Sequence, residues 1–208
     1  MITFYFVRHG QTTWNLEGKY QGSTDVPLSA LGEAQAECAA RWFDGKSFDA
    51  IYTSPLIRAR RTAEAIAHRQ HTAVTEMAEF QEICFGAWEG LTYDEIEAQW
   101  PGAVETMYSA PDTVRIEGGE TFAEVEKRTM AGMRRLIAAG DEKTYVIVSH
   151  GAAIRTILCG MMGIPLRHAW HFCQGNAAIS CLRWYGEGDC WLYLLNGQDH
   201  LRFLEERT

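Results

Sequence analysis

The chain has 208 residues, 47% of them hydrophobic, and carries 27 acidic against 19 basic side chains for a formal charge of −8. That length builds one sizeable core and is short for two, so residues 1–208 are read as a single domain. The acidic balance excludes the broad basic face that nucleic acid or an anionic membrane requires, so any anionic ligand must be held by a local cluster of cations.

The first apolar run, ITFYFV, predicts a buried strand over 2–7, followed by a polar, glycine-containing loop over 8–28. LSALGEAQAECAARWF predicts a helix from about 30 to 44, with Ser29 as its cap and Leu31, Cys38 and Trp42 on one face. DAIYTS (49–54) is a short strand, and Pro55 opens a helix that carries Arg58, Arg60 and Arg61 beside the apolar Ile57, Ala65 and Ile66. A weak strand at 73–76 precedes FQEICFGAWEG, which has no clean period and reads as structured loop. A short helix over 92–100 ends at Pro101, and 101–119 is rich in turn formers.

In 120–138 the apolar positions Phe122, Val125, Thr129, Met133 and Leu136 recur at helical spacing. TYVIVS (144–149) is almost continuously apolar, as a strand covered on both faces should be, and HGAAIRTILCGMMG continues as a helix ended by glycine. Two strands, about 177–185 and 190–195, close around the turn YGEGD. The alternation predicts an α/β three-layer sandwich with a mostly parallel central sheet, helices on both faces and a C-terminal antiparallel hairpin.

Cys38, Cys84, Cys159, Cys173, Cys181 and Cys190 form no CxxC pair and no disulfide framework, which fits a reducing compartment. The opening run is too short for a signal peptide and lacks a basic n-region, and no apolar stretch approaches the ~18 residues of a membrane span. A soluble, cytoplasmic protein is expected. Its oligomeric state is open, a homodimer being compatible with the sequence.

Both of the strongest strand patterns stop at the same dipeptide, FYFVRHG at 4–10 and YVIVSHG at 145–151. Ligands of open α/β sheets collect at the carboxyl ends of strands, so if these two strands are neighbours, His9 and His150 face one pocket. Arg8 beside two imidazoles makes an anion site, and a phosphoryl dianion suits it because planar guanidinium groups bind its oxygens two at a time.

RHGQTTWN, YQGSTDVPLSALGEAQA, TSPLIRARRTAEAI, EICFGAWEG, GGETFAEVEKR and VSHGAAIR follow one another in the order found in the histidine phosphatase superfamily, the phosphoglycerate mutase-like fold, which the chain resembles from residue 4 to about 158. The resemblance implies a phosphomonoester hydrolase with His9 as the nucleophile that becomes phosphohistidine. Arg8, Arg58 and His150 match its phosphate-binding positions, and Asn15, Gln21 and Gly151 fall to substrate binding. It places the general acid at Glu82 and leaves Glu89 to the structural part of its block. Like charge beside a phosphate disfavours a carboxylate, so an acid placed there can hold the proton that the leaving alcohol needs. Arg60 and Arg61 point elsewhere on their helix.

The scheme requires no metal and no cofactor. His168 and His171 in RHAWHF suit a surface placement better than a ligand pair, and the sequence lacks a Cx5R loop, a DxD pair and GxxxxGK[ST]. A cofactor-dependent phosphoglycerate mutase and a non-catalytic phosphate-binding protein are the alternatives. The mutases are longer with a different segment after the acid glutamate, and loss of catalysis would show as a missing nucleophile or acid. The partner is then a small phosphorylated metabolite, and 98–118, with Trp100, Met107 and Tyr108, is long enough to cap the pocket.

Overall fold

The computed structural model describes residues 1–205. Its strands are β1 (Ile2–Arg8), β2 (Ala50–Thr53), β3 (Val74–Glu76), β4 (Thr144–Ser149), β5 (Ile179–Gly186) and β6 (Asp189–Gly197). They form one six-stranded sheet in the order β3-β2-β4-β1-β5-β6. β3, β2, β4 and β1 run parallel, and β5 is antiparallel to both β1 and β6. The helices are α1 (Thr13–Leu16), α2 (Ala30–Trp42), α3 (Ile57–Gln70), α4 (Tyr93–Gln99), α5 (Ala103–Ser109), α6 (Phe122–Ala138), α7 (Gly151–Met162) and α8 (Arg202–Glu205).

Strand β1 is mostly apolar because both of its faces are covered. Ile2, Phe4 and Phe6 pack with Met133 and Leu136 of α6 and Ile154, Ile157 and Leu158 of α7. On the opposite face Val7 packs with Ala39, Ala40 and Phe43 from the end of α2 and with Ala59, Ala63 and Ile66 of α3. The result is the expected three-layer sandwich. A further apolar cluster binds the segment around α4 and α5 to the same side as α6 and α7: Ile96, Val104, Met107 and Ile116 meet Phe122, Val125, Ala152 and Cys159. No helix among the described residues is long and apolar enough to cross a membrane.

Local signals explain most element boundaries. The Ser29 hydroxyl accepts from the Gly32 N–H at the start of α2, and Thr121 with Glu124 forms a reciprocal capping box on α6. Three expectations need correction. Residues 8–28 are not wholly loop, because Thr12 and Asn15 close a capping box around the single turn of α1. Leu31 is exposed, since α2 turns its small residues Gly32, Ala36, Ala39 and Ala40 inward instead. The turn-rich 101–119 contains α5, a helix that exists because Val104 and Met107 are buried in the cluster just described, which local composition does not reveal.

Candidate active site

Register joins the two His-Gly motifs. β1 and β4 are adjacent and parallel with Arg8 opposite Ser149, so both strands end at the same level. The His9 N–H donates to the Ser149 carbonyl at 3.0 Å, and the rings of His9 and His150 lie 5.1 Å apart, both buried. Gly10 then passes against the first turn of α2, where a Cβ on it would lie 2.3 Å from the Gly32 carbonyl oxygen. Only a residue without a side chain lets the chain leave β1 by this route.

A pocket of about 400 Å³ opens over these strand ends. Arg8, His9, Asn15, Gln21, Arg58, Glu82 and Gly151 all line it. His150 lies behind His9, outside the lining residues, with its Nε2 2.7 Å from the Ser54 hydroxyl and its Nδ1 without a partner.

His9 Nδ1 lies 2.7 Å from the Gly10 carbonyl oxygen. A carbonyl can only accept, so Nδ1 carries the proton and the neutral ring presents Nε2 as a lone pair. Around it stand incompletely used cations. Arg8 donates to the Gln174 carbonyl at 2.5 Å, Arg58 donates to the Gly22 and Thr24 carbonyls at 2.6 and 2.8 Å, and both Nε atoms are buried without partners. Burying Arg58 to 1% exposure is costly for a cation, and the two carbonyls offset part of that cost while fixing its fork. Burial brings Arg58 down to about 10, so it remains cationic at neutral pH. Arg60 and Arg61 instead lie on the outer side of α3, pairing with Glu64 and Glu76 and with Glu33 and Glu64.

Asn15 uses its side-chain oxygen on Thr12 and Asn176, leaving its amide N–H groups to the pocket, and Gln21 is buried with Oε1 unpartnered. Glu82 occupies the N-terminus of α7. Its carboxylate accepts from the backbone N–H groups of Ile83, Ala152 and Ala153 at 3.0 to 3.2 Å, satisfying donors that a helix start leaves free. Arg128 holds the loop that carries it, donating to the carbonyls of Glu79, Gln81 and Glu82 while gripping the Glu120 carboxylate. Glu89 faces away and accepts from Ser23, Thr24 and Phe85. Burial alone would raise its titration point, but those hydrogen bonds outweigh it and hold the carboxylate below its ordinary value.

Of the three cap residues named from sequence, only Tyr108 reaches the pocket. Met107 is buried in the cluster beneath, and Trp100 packs against that cluster. Sequence reasoning also missed Arg155, Gln174 and the aromatic wall of Trp14, Tyr20, Tyr93 and Trp170. Arg155 had a signal: it is the lone cation in the apolar stretch AAIRTILC. Gln174 had none, since it serves Arg8 through its backbone. His168 and His171 lie with ring centres 5.1 Å apart and planes tilted by 41° on the turn Leu166–His171, and neither lines the pocket. Among the described residues no group of three or more His, Cys, Asp or Glu side chains is arranged around a metal position.

Both histidines are held well below the ordinary 6.5, first by burial and then by the Arg58 charge, the Gly10 carbonyl only partly opposing this at His9. In the unfolded chain the same rings take up protons as pH falls through 6.5, so the unfolded state then binds more protons and stability drops with acidification until the folded values are reached. The thermal midpoint should therefore fall between about pH 7 and about pH 5, less steeply in His9→Asn and His150→Asn. Equal slopes in wild type and both variants would contradict the depressed values.

Comparison with known proteins places the chain in a family. Residues 4–196 match the histidine phosphatase superfamily (branch 1). Phosphoserine phosphatase 1 of Hydrogenobacter thermophilus is 32% identical over 182 residues, 88% of this chain and 86% of that one. A probable phosphoglycerate mutase GpmB of Salmonella choleraesuis is 32% identical over 170 residues, 82% and 78% of the two chains. Among solved structures, a mutant phosphoserine phosphatase from Entamoeba histolytica in complex with phosphoserine matches with a TM-score of 0.86 at 34% identity, covering 97% of this chain and 100% of that one. The chain belongs to the histidine phosphatase superfamily. It is a phosphomonoester hydrolase of small phosphorylated metabolites that works through a phosphohistidine intermediate and needs no metal ion.

Proposed function

We propose that residues 1–208 act as one catalytic domain in which His9 Nε2 attacks the phosphorus of a small phosphomonoester. The observation that carries this reading is the Nδ1 contact to Gly10, which leaves Nε2 as the free lone pair of a neutral ring in a pocket of cations. As the P–O bond to the alcohol breaks and the N–P bond forms, charge spreads over the three equatorial oxygens. The Nε and remaining N–H groups of Arg8 and Arg58 meet that charge, with Asn15 and Gln21 adding neutral donors and Gly151 giving the phosphoryl group room at the start of α7. His150 supports the same charge from behind His9. Glu82 gives its proton to the departing alkoxide and then, as carboxylate, takes one from the water that cleaves phosphohistidine.

The substrate class is supported by the relatives, of which one is named a phosphoserine phosphatase and another is solved with phosphoserine. Tyr108 on the pocket wall supports a capping role for 98–118. Six unpaired cysteines support a cytoplasmic location.

A panel of phosphomonoesters, including 3-phosphoglycerate with 2,3-bisphosphoglycerate, tests the reading when scored for phosphate release and for isomerisation, with and without EDTA. Phosphate release that survives chelation is expected. Isomerisation without release would assign the phosphoryl group to a second hydroxyl rather than water, and recovery of activity only on adding a divalent ion would remove the mechanism.

A further inference from the structure

Arg155 is the group in the pocket that the phosphoryl chemistry leaves unused. It sits in α7 among Ala152, Ala153, Ile154, Thr156 and Ile157, all buried, and is itself only 9% exposed. Among the described residues its guanidinium makes no hydrogen bond or ion pair, and its Nε is buried without a partner. Arg8 and Arg58, by contrast, each spend donors on backbone carbonyls. A buried cation with five N–H donors and no acceptor is a costly arrangement unless a ligand completes it.

Its orientation is built. The guanidinium carbon lies 4.5 Å from the centre of the Trp170 ring, whose own N–H is tied to the Met107 carbonyl at 2.7 Å and which packs on Tyr108 and Phe122, with ring centres 4.8 and 5.9 Å away. This cation–π contact holds the guanidinium without using any of its N–H donors. A Cβ built on Gly151 would lie 2.9 Å from Arg155 Nη1 and 3.7 Å from Arg8 Nε, so the two cations flank this glycine side by side. Burial first and the Arg8 charge second bring Arg155 down to about 10, which keeps it cationic at neutral pH. Arg155 thus stands between Arg8 and the Trp170–Tyr108 wall of the pocket.

We propose that Arg155 is a specificity-determining residue that binds a carboxylate carried by the substrate's organic part, a few atoms from the phosphoryl group. A carboxylate suits the position because its two coplanar oxygens match one guanidinium fork and its single charge is balanced by one cation. A second phosphoryl dianion would need another cation there, and the remaining cation of the pocket lining, Lys19, is already paired with Glu17 at 2.7 Å. The remaining wall of Tyr20, Tyr108 and Trp170 suits a short carbon skeleton between the two anions. The substrates thus fall in the class of phosphorylated hydroxy acids and hydroxy amino acids. This inference rests on the phosphatase reading above.

Two matched pairs of probes test it: O-phosphoserine against phosphoethanolamine, and 3-phosphoglycerate against glycerol 3-phosphate, each second member lacking the carboxylate. For wild type, kcat/KM should favour the carboxylate member by about tenfold to a hundredfold, the worth of a charge-assisted hydrogen-bond pair. Arg155→Gln should collapse that ratio toward one, and Arg155→Lys should restore part of it, with circular dichroism confirming that both variants are folded. No preference in wild type overturns the proposal, and so does a loss in Arg155→Gln that is equal for both members of each pair, which would place Arg155 on the phosphoryl group. Failure of the underlying reading looks different: p-nitrophenyl phosphate would release no phosphate. In that event, calorimetric binding of phosphoserine and phosphoethanolamine to the wild-type and Arg155→Gln proteins still decides the carboxylate question, the same collapse of preference being required.

Discussion

Replacing His9 with alanine should abolish turnover and the covalent intermediate together. With a substrate present and the reaction quenched under alkaline conditions, wild type should yield an acid-labile, base-stable phosphoryl group on His9, detectable by mass spectrometry of the peptide. His9→Ala should yield none, with kcat lowered by several orders of magnitude, since no other group in the pocket presents an unprotonated nitrogen to phosphorus. His150→Ala is expected to behave differently. His150 is fully buried behind His9, bonded to Ser54, so its loss weakens the support of the phosphoryl charge but leaves the attacking nitrogen in place. An adduct should therefore still form on His9, more slowly. A phosphoryl group mapped to His150, or normal turnover in His9→Ala, would overturn the assignment.

Glu82→Gln should show a leaving-group dependence rather than a uniform loss. The amide cannot supply a proton, so esters of poor alkoxide leaving groups should lose about 10²–10⁴-fold in kcat/KM. The loss should be much milder for p-nitrophenyl phosphate, whose phenolate departs with little protonation. With that substrate, water activation becomes limiting and phosphohistidine should accumulate. The substitution keeps one side-chain oxygen to accept from the first N–H groups of α7, so the helix start should survive it. Equal losses for both leaving groups would leave the acid role unsupported, and so would equal losses in Glu82→Gln and Glu89→Gln, because Glu89 spends its oxygens on Ser23, Thr24 and Phe85.

The elements that were legible from sequence are those whose cause is local or periodic. β1 and β4 show themselves as runs apolar on both faces, α6 as a 3.6-residue apolar repeat with a capping box, and the end of α7 as a glycine in the left-handed region at Gly163. α5 and the single turn of α1 were missed because both are short, α1 being one turn closed by its own capping box. Helices this short gain little from propensity, and α5 is stabilised by Met107 and Val104 entering a cluster with Phe122 and Val125, residues distant along the chain.

Within the site, the sequence by itself determined which reactive residue types are available: a histidine and an arginine at one strand tip, a second histidine at another, Arg58 in SPLIR and Glu82 in its block. What only the tertiary structure decided is which groups meet and what each has left to give. Parallel pairing in register brings Arg8 level with Ser149 and so sets His9 beside His150. The Gly10 carbonyl chooses the tautomer of His9, the Gln174 carbonyl aims Arg8, and the start of α7 receives Glu82. Trp170 holds Arg155 in the pocket wall beside Arg8. Hydrogen bonds to backbone carbonyls and contacts between distant helices depend on where the chain passes and not on which residue supplies it, so they leave no mark in a single sequence.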